Sequence, residues 1–355
     1  MKFRRWMSMT AVCLVAALAI TVQVSAQTIT TFNAPGAGTA AGLGTITTGI
    51  NVFGEIAGFY VDSSGTPHGF LRAPNGTLTA FDPTGSVATF PYGPNLVGAT
   101  TGYYIDASGV SHGFLRAANG TIATFDPTES VGTVAVNIND FGAIAGYYYD
   151  STGETHGFVR AVNGTITSFD PTGSVNTVTD AFSALNDLGT LLGNYVDAST
   201  VSHCYLRAAN GTITEFETPG AGSGVNQGCR GASTNNFGMV TGVTTDASND
   251  DHGYVRAANG TVTTFDVKGA APGYMKGTVP QNINDLGVVA GQFVDTSSVT
   301  HGFLRAVNGK ITTINVPGAG GGSGQGTFPV ANNLAGEVAG YYVDASGVYH
   351  GFLSQ

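Results

Sequence analysis

Basic side chains are scarce in this sequence: 13 Lys and Arg stand against 23 Asp and Glu. Three of the 13, Lys2, Arg4 and Arg5, precede the apolar run MSMTAVCLVAALAITVQV. That run, followed by Val24-Ser25-Ala26, has the composition and length of a secretory leader cut before Gln27. Without residues 1–26, 10 basic residues face 23 acidic ones, a net charge near −13. Phosphate recognition needs clustered Lys and Arg, so the composition argues against a nucleic-acid partner. No later segment keeps the roughly 20 apolar residues of a spanning helix, so no membrane span is expected. The expectation is a secreted protein, periplasmic or extracellular, with residues 27–355 as one domain.

Other chemistry is thin as well. The only tryptophan, Trp6, belongs to the leader, as does Cys13. Cys204 and Cys229 remain. An oxidising compartment permits a bridge between them, worth about 3 kcal/mol, and two buried free thiols are the alternative. There is no nucleophile elbow, no Gly-rich phosphate loop leading into a helix, and no HExxH pair. No cofactor and no metal are expected.

What the chain has in quantity is repetition. The phrase HGFLRAANGTIATFD starts at His112, and near copies start at His68, His156, His203, His252 and His301. A short one, HGFLSQ, starts at His350. Successive histidines are 44, 44, 47, 49, 49 and 49 residues apart, periods found in propeller blades. Each copy carries three turn signals. The first is Asn-x-x-Gly, from Asn51 and Gly54 to Asn333 and Gly336. The second starts at an Asp six residues before each His. The third is Asn-Gly seven residues after the His, in every copy long enough to have it. Asn and Gly suit tight hairpins. The runs between are rich in Val, Ile, Thr, Tyr and Phe, which favour strands.

Three hairpins per copy predict four antiparallel strands, a to d. A two-residue turn at Asn119-Gly120 would set Phe114 opposite Phe125, and the same arithmetic sets Phe70 opposite Phe81 and Phe158 opposite Phe169. The seventh copy has no strand d of its own. The stretch from Thr28 to Asn33 is a strand d with nothing before it. Pairing it with HGFLSQ would bring Phe32 to Phe352 and leave no free edge. The expected fold is therefore an all-β, seven-bladed propeller of four-stranded antiparallel blades, closed by the N-terminal strand on the C-terminal blade.

The combined phrase, IND-G-IAGYY-D-G-HGF-R-NGT-T-FD, resembles the HAF-type extracellular repeat family of bacteria over nearly all of residues 28–355. The family's His-Ala-Phe is His-Gly-Phe in most copies here and His-Cys-Tyr at His203. The resemblance implies a secreted, propeller-like protein and no agreed activity.

The recurring Asp and His are read as structural pairs: Asp62 with His68, Asp106 with His112, Asp150 with His156, Asp197 with His203, Asp246 with His252, Asp295 with His301, and Asp344 with His350. On sevenfold symmetry neighbouring histidines would lie about 13 Å apart, against a zinc–nitrogen bond of about 2.0–2.1 Å, so they cannot share an ion. A carboxylate accepting an imidazole N–H would hold the turn. The recurring Arg, such as Arg116, is read as solvated or locally paired. Asp246 to Asp251, DASNDD, is rich in oxygen but misses the EF-hand spacing.

Function is expected where the copies differ. From the strand d aromatic, or its equivalent, to the Gly of Asn-x-x-Gly the count is 22, 17, 17, 20, 22, 22 and 22. Variation is thus confined to the d–a connection and strand a. In a propeller d–a loops share a face with b–c turns. Phe90, Tyr92, Arg230, Tyr274, Lys276 and Phe328 fall in these segments and are the candidate ligand contacts, since aromatic faces beside polar groups suit sugars or protein segments. The leading expectation is a monomeric, non-catalytic scaffold that binds a glycan or protein on its d–a face. A carbohydrate-active hydrolase or lyase at the central channel is the rival, with Glu129 and Asp180 as unmatched acids. A structural envelope or matrix protein is the third reading.

Overall fold

The computed structural model describes residues 28–178 and 184–355. The expected leader and Asp180 lie outside the described residues. β-Branched and aromatic stretches between Gly-containing turns form strands throughout, and no helix occurs among the described residues. In the first copy the strands are Gly44–Ile50, Ile56–Val61, Pro67–Arg72 and Leu78–Phe81, taken as a, b, c and d. Each pairs antiparallel with the next. The pattern recurs over residues 86–125, 132–169, 174–216, 228–265 and 278–314. The last copy supplies Gly326–Asn332, Val338–Val343 and Tyr349–Ser354, and Ile29–Phe32 pairs antiparallel with Tyr349–Ser354. Two bonds of 2.9 Å between Thr28 and Gln355 continue that ladder, one in each direction. The architecture is all-β and propeller-like.

The three turns of a copy share one form. Ala117 N–H donates to the Thr121 carbonyl at 2.8 Å, and Gly120 N–H to the Ala117 carbonyl at 2.9 Å. Asn51 to Glu55 and Asp62 to Thr66 repeat this. It is a type I turn closed by a left-handed residue, a three-residue loop rather than a two-residue one. Only its last residue has positive φ, +89° at Gly120. In the b–c turn three copies put Thr200, Asn249 and Ser298 there, at φ 63°, 63° and 62°.

The extra loop residue corrects the expected register. Phe125 lies opposite Gly113 and Phe114 opposite Thr124, so the two rings are not partners. Likewise Phe32 lies opposite Gly351, not Phe352, Phe81 opposite Gly69, and Phe169 opposite Gly157. A one-residue slip sends a side chain to the other face of its sheet. That is the arrangement the core uses. Phe114 points to the preceding copy and meets Phe81 edge-on, with ring centroids 6.0 Å apart. Phe125 points to the following copy and meets Phe158 at 6.1 Å. The strand c aromatics Phe70, Phe114, Phe158, Tyr205, Tyr254, Phe303 and Phe352 are fully buried. The glycine after His makes room for the strand d ring: a Cβ on Gly113 would stand 2.8 Å from Phe125.

Adjacent sheets are joined where strand a begins. Gly44, Gly228 and Gly326 each lie beside strand c of the preceding copy, at Tyr349, Ser202 and Thr300. A Cβ there would fall 2.1, 2.0 and 1.9 Å from that residue's carbonyl oxygen. The φ values are 125°, 109° and 123°, which side chains also resist.

Candidate functional site

Every histidine sits on strand c between two polar partners. Its short bond goes to the residue that follows strand d, 14 positions on in six copies and Asn33 for His350, and not to the turn Asp. His68 Nδ1 lies 2.7 Å from Asp82, His112 2.8 Å from Asp126, His156 2.8 Å from Asp170, His203 2.7 Å from Glu217, and His252 3.0 Å from Asp266. In the last two histidines the partner is an amide, Asn315 or Asn33, each at 2.9 Å. The expected partners face Nε2 at longer range. Asp62, Asp106, Asp150, Asp197 and Asp246 lie 3.6, 3.5, 3.5, 3.4 and 3.5 Å away, Asp295 and Asp344 3.2 and 3.3 Å. The turn carboxylates are engaged locally: Asp62 Oδ1 accepts N–H bonds from Ser64 and Thr66. In six copies a strand b ring covers the imidazole, as Tyr60 does at 5.1 Å from His68.

This network sets a pH dependence. Burial pulls the imidazoles of His112, His156, His203 and His252 down, but bonds and charge from their two acids outweigh it and raise them above 6.5. A raised histidine contributes stability in full below about 6.5, and loses it as pH rises through the folded value. Side-chain and backbone donors in their turns hold Asp62 and Asp150 down at about 2, from 3.8. Their contribution is present above about 4 and lost as pH falls toward 2. The unfolding midpoint should therefore be higher at pH 5 than at pH 8.5. Asp126→Asn and Asp170→Asn should each narrow that gap, and an equal midpoint at both pH values would refute the assignment.

The Asn-x-x-Gly turns do more than turn. Each Asn Oδ1 accepts bonds within its own turn, while Nδ2 donates to the carbonyl of the next such Asn. The chain of donors runs Asn51 to Asn95, Asn139, Asn186, Asn235, Asn284, Asn333 and back to Asn51, each bond 3.0 or 3.1 Å long. All seven are buried. Beside them the following residues make a partial second tier. Leu96 N–H donates to Asp140, Asp140 N–H to Asp187, Asp187 N–H to Asn236, and Asn236 N–H to Asp285. Burial, with the neighbouring charges of Asp187 and Asp285, pushes the Asp140 carboxyl up. These turns line a cavity of about 410 Å³ at the a–b end of the strands.

The six candidate ligand contacts lie elsewhere and form three groups. Phe90 stacks on Tyr103 with centroids 4.9 Å apart and meets Phe59 of the preceding copy at 5.1 Å. Tyr92 lies 6.4 Å from the same Tyr103. Phe328 stacks on Tyr341 at 4.8 Å, and Tyr341 lies 5.8 Å from Tyr349. Burial pushes the Tyr341 phenol up to about 12. Arg230 and Tyr274 are brought together, guanidinium over ring at 4.9 Å. Arg230 also grips the buried Asp251 with two contacts of 2.9 Å, and Asp251 accepts the Met275 N–H at 2.8 Å. Asp251 is thus committed to an internal ion pair rather than free within DASNDD. Lys276 is exposed in the same loop.

Several of these aromatics were missed. Phe59, Tyr103, Tyr147 and Tyr341 all follow the strand b glycine, and the other copies have Asn194, Val243 and Gln292 there. The signal was available: the aromatic copies are the last and the first three, which the terminal pairing makes neighbours. Tyr147 packs on Tyr149 at 5.7 Å, and Tyr149 is 37% exposed.

The recurring Arg is also aimed at a neighbour. Arg72, Arg116, Arg160, Arg207, Arg256 and Arg305 lie over Phe32, Phe81, Phe125, Phe169, Phe216 and Phe265 of the preceding copy, at 4.7–5.0 Å. The last copy has Ser354 at the Arg position, and the ring it would face is replaced by Ile314. Both halves of the contact are absent together. Cys204 and Cys229 are bridged, with Cα atoms 5.4 Å apart and both residues fully buried. The bridge joins strand c of one copy to strand a of the next.

These features define a propeller-like all-β protein, and comparison with solved structures agrees. The β-propeller domain of the Trilobed protease from Pyrococcus furiosus superposes with a TM-score of 0.58 at 10% identity, covering 88% of this chain and 97% of that one. The BP39L lectin from Burkholderia pseudomallei gives 0.52 at 10% identity, covering 86% and 96%. At such identity the likeness shows the fold alone. No family model and no curated protein matches the sequence.

Proposed function

We propose that this is an exported, seven-bladed, circularly closed propeller of the HAF-type extracellular repeat kind, acting as a non-catalytic scaffold that binds a glycan or protein ligand on its d–a face. Closure is supported by the cycle of asparagine bonds, which returns to its start after seven steps, and by the pairing of Ile29–Phe32 with Tyr349–Ser354. The ligand reading rests on one observation. Half-buried aromatic rings gather on the last and first three copies, toward the end where the d–a connections and b–c turns lie. Rings with one apolar face and a hydroxyl suit sugar faces and peptide side chains.

A glycan array and a pull-down from bacterial envelope extract, run on a chain starting at Gln27, test this reading. The variant Tyr149→Ala, at an exposed ring where strand b meets the b–c turn, should keep the wild-type unfolding midpoint and bind at least tenfold more weakly, a loss of about 1.4 kcal/mol or more. Unchanged affinity would remove this surface from the account. Turnover of a polysaccharide by the wild type would replace it with the hydrolase or lyase reading.

A further inference from the structure

We propose that the third copy carries a zinc site made by Asp150, Glu154 and His156. The seven b–c turns share their Asp and His and vary between them, and an acid stands two residues before His in only two copies, as Asp250 in the fifth and as the longer Glu154 in the third. The position two residues before His is Thr66, Val110, Val201, Asp250, Val299 or Val348 in the other copies, and Glu154 in this one. Among the described residues, this is the only group in which three side chains of ligand type bring their donor atoms within 4.8 Å of one another.

The geometry suits a small divalent ion. His156 Nε2 and Asp150 Oδ2 are 3.5 Å apart. That is long for a hydrogen bond. It is close to the edge of a tetrahedron with bonds of about 2.1 Å, which is about 3.4 Å. The other imidazole nitrogen, Nδ1, lies 2.8 Å from Asp170. A carboxylate accepting Nδ1–H fixes the tautomer that offers the Nε2 lone pair outward, the usual support for a metal-bound histidine. Asp150 Oδ1 is held by the Thr152 hydroxyl at 2.7 Å and by the N–H groups of Thr152 and Glu154 at 2.8 and 3.0 Å, which leaves Oδ2 as the ligand atom. Glu154 is exposed, and its carboxylate already lies within 4.8 Å of the other two ligand atoms. Three protein ligands leave one position open to solvent. One imidazole with two carboxylates favours zinc over calcium, which prefers six to eight oxygens.

Isothermal titration of a chain starting at Gln27 with zinc chloride at pH 7.5 tests the site. The expected result is one zinc per chain with micromolar affinity, not displaced by millimolar calcium. Glu154→Val, which places at this exposed position the residue that the second copy has there, Val110, should keep the unfolding midpoint and bind zinc at least tenfold more weakly. Asp170→Asn should weaken binding by about tenfold or more through the histidine it orients. Several equivalent ions per chain would mean that any Asp–His pair suffices. That result, wild-type affinity in Glu154→Val, displacement by calcium, or no heat of binding would each overturn the proposal.

Discussion

Phe32→Ala lowers stability by about 3 kcal/mol, although the residue is only the fifth of the described chain. The ring stands 6.3 Å from Phe70 and carries the Arg72 guanidinium at 4.9 Å. It packs on a core cluster that includes Ile56 and Leu353. Truncation therefore removes apolar contact and a cation–π pair of about 0.5–2 kcal/mol at the one place where the two ends of the chain meet. For a domain of this size the midpoint should fall by roughly 4 °C. Removing residues 28–33 altogether should go further. The edge of Tyr349–Ser354 then loses its partner, and an unpaired edge recruits other chains. Thermal unfolding and size-exclusion chromatography would report both effects. A terminal strand that merely lies on the surface would change neither.

The second large effect concerns Cys204 and Cys229. Six copies put glycine after the histidine, and six put threonine at the strand a position of Cys229, as Thr45, Thr89, Thr133, Thr177, Thr278 or Thr327. These two positions touch across copies: a Cβ on Gly69 would lie 3.1 Å from Thr89 Cγ2, and one on Gly253 3.0 Å from Thr278 Cγ2. At the remaining interface both are cysteine. The double variant Cys204→Gly, Cys229→Thr thus restores the contact used elsewhere, and the fold should survive. It should lose about 3 kcal/mol, because the bridge closes a loop of 25 residues in the unfolded chain. Denaturant unfolding of the wild type with and without reductant should show a similar difference. Equal stability in all three states would mean that the bridge contributes nothing beyond the packing it replaces.

Much of the fold was legible because it repeats. The spacing of His, Asp and Asn-Gly placed the hairpins, and the strand-like N-terminus indicated which segment lay beside HGFLSQ. The register was not legible from the turn dipeptide alone. Asn119-Gly120 fits a two-residue turn, but the Asn side chain instead accepts the Thr121 N–H at 3.0 Å inside a three-residue loop. The choice between the two depends on where the rings pack, which is a tertiary matter. The histidine partner was missed for a related reason: Asp82 and its equivalents are distant in sequence and adjacent only across strands c and d. One clue in the sequence went unused. The b–c turn always begins with Asp, whereas the a–b turn always begins with Asn. Both can accept from the turn backbone, but only Asn has N–H groups left to donate. The invariant choice of amide over acid marks the bonds that pass from copy to copy. The aromatic surface was half legible, through Phe90, Tyr92 and Phe328. Its strand b members looked like core residues, and their grouping appears only once the copies are set in a circle.

Circular closure is the claim on which the surfaces and their neighbours depend, and a terminal cross-link tests it most directly. Thr28 and Gln355 exchange both backbone bonds, so the adjoining pair Ile29 and Ser354 is a non-bonded pair with close side chains. In the variant Ile29→Cys, Ser354→Cys, air oxidation should give a quantitative intramolecular bridge in a monomer, located by peptide mapping and distinct from Cys204–Cys229. Free thiols at both positions, or bridges formed only between chains, would contradict it.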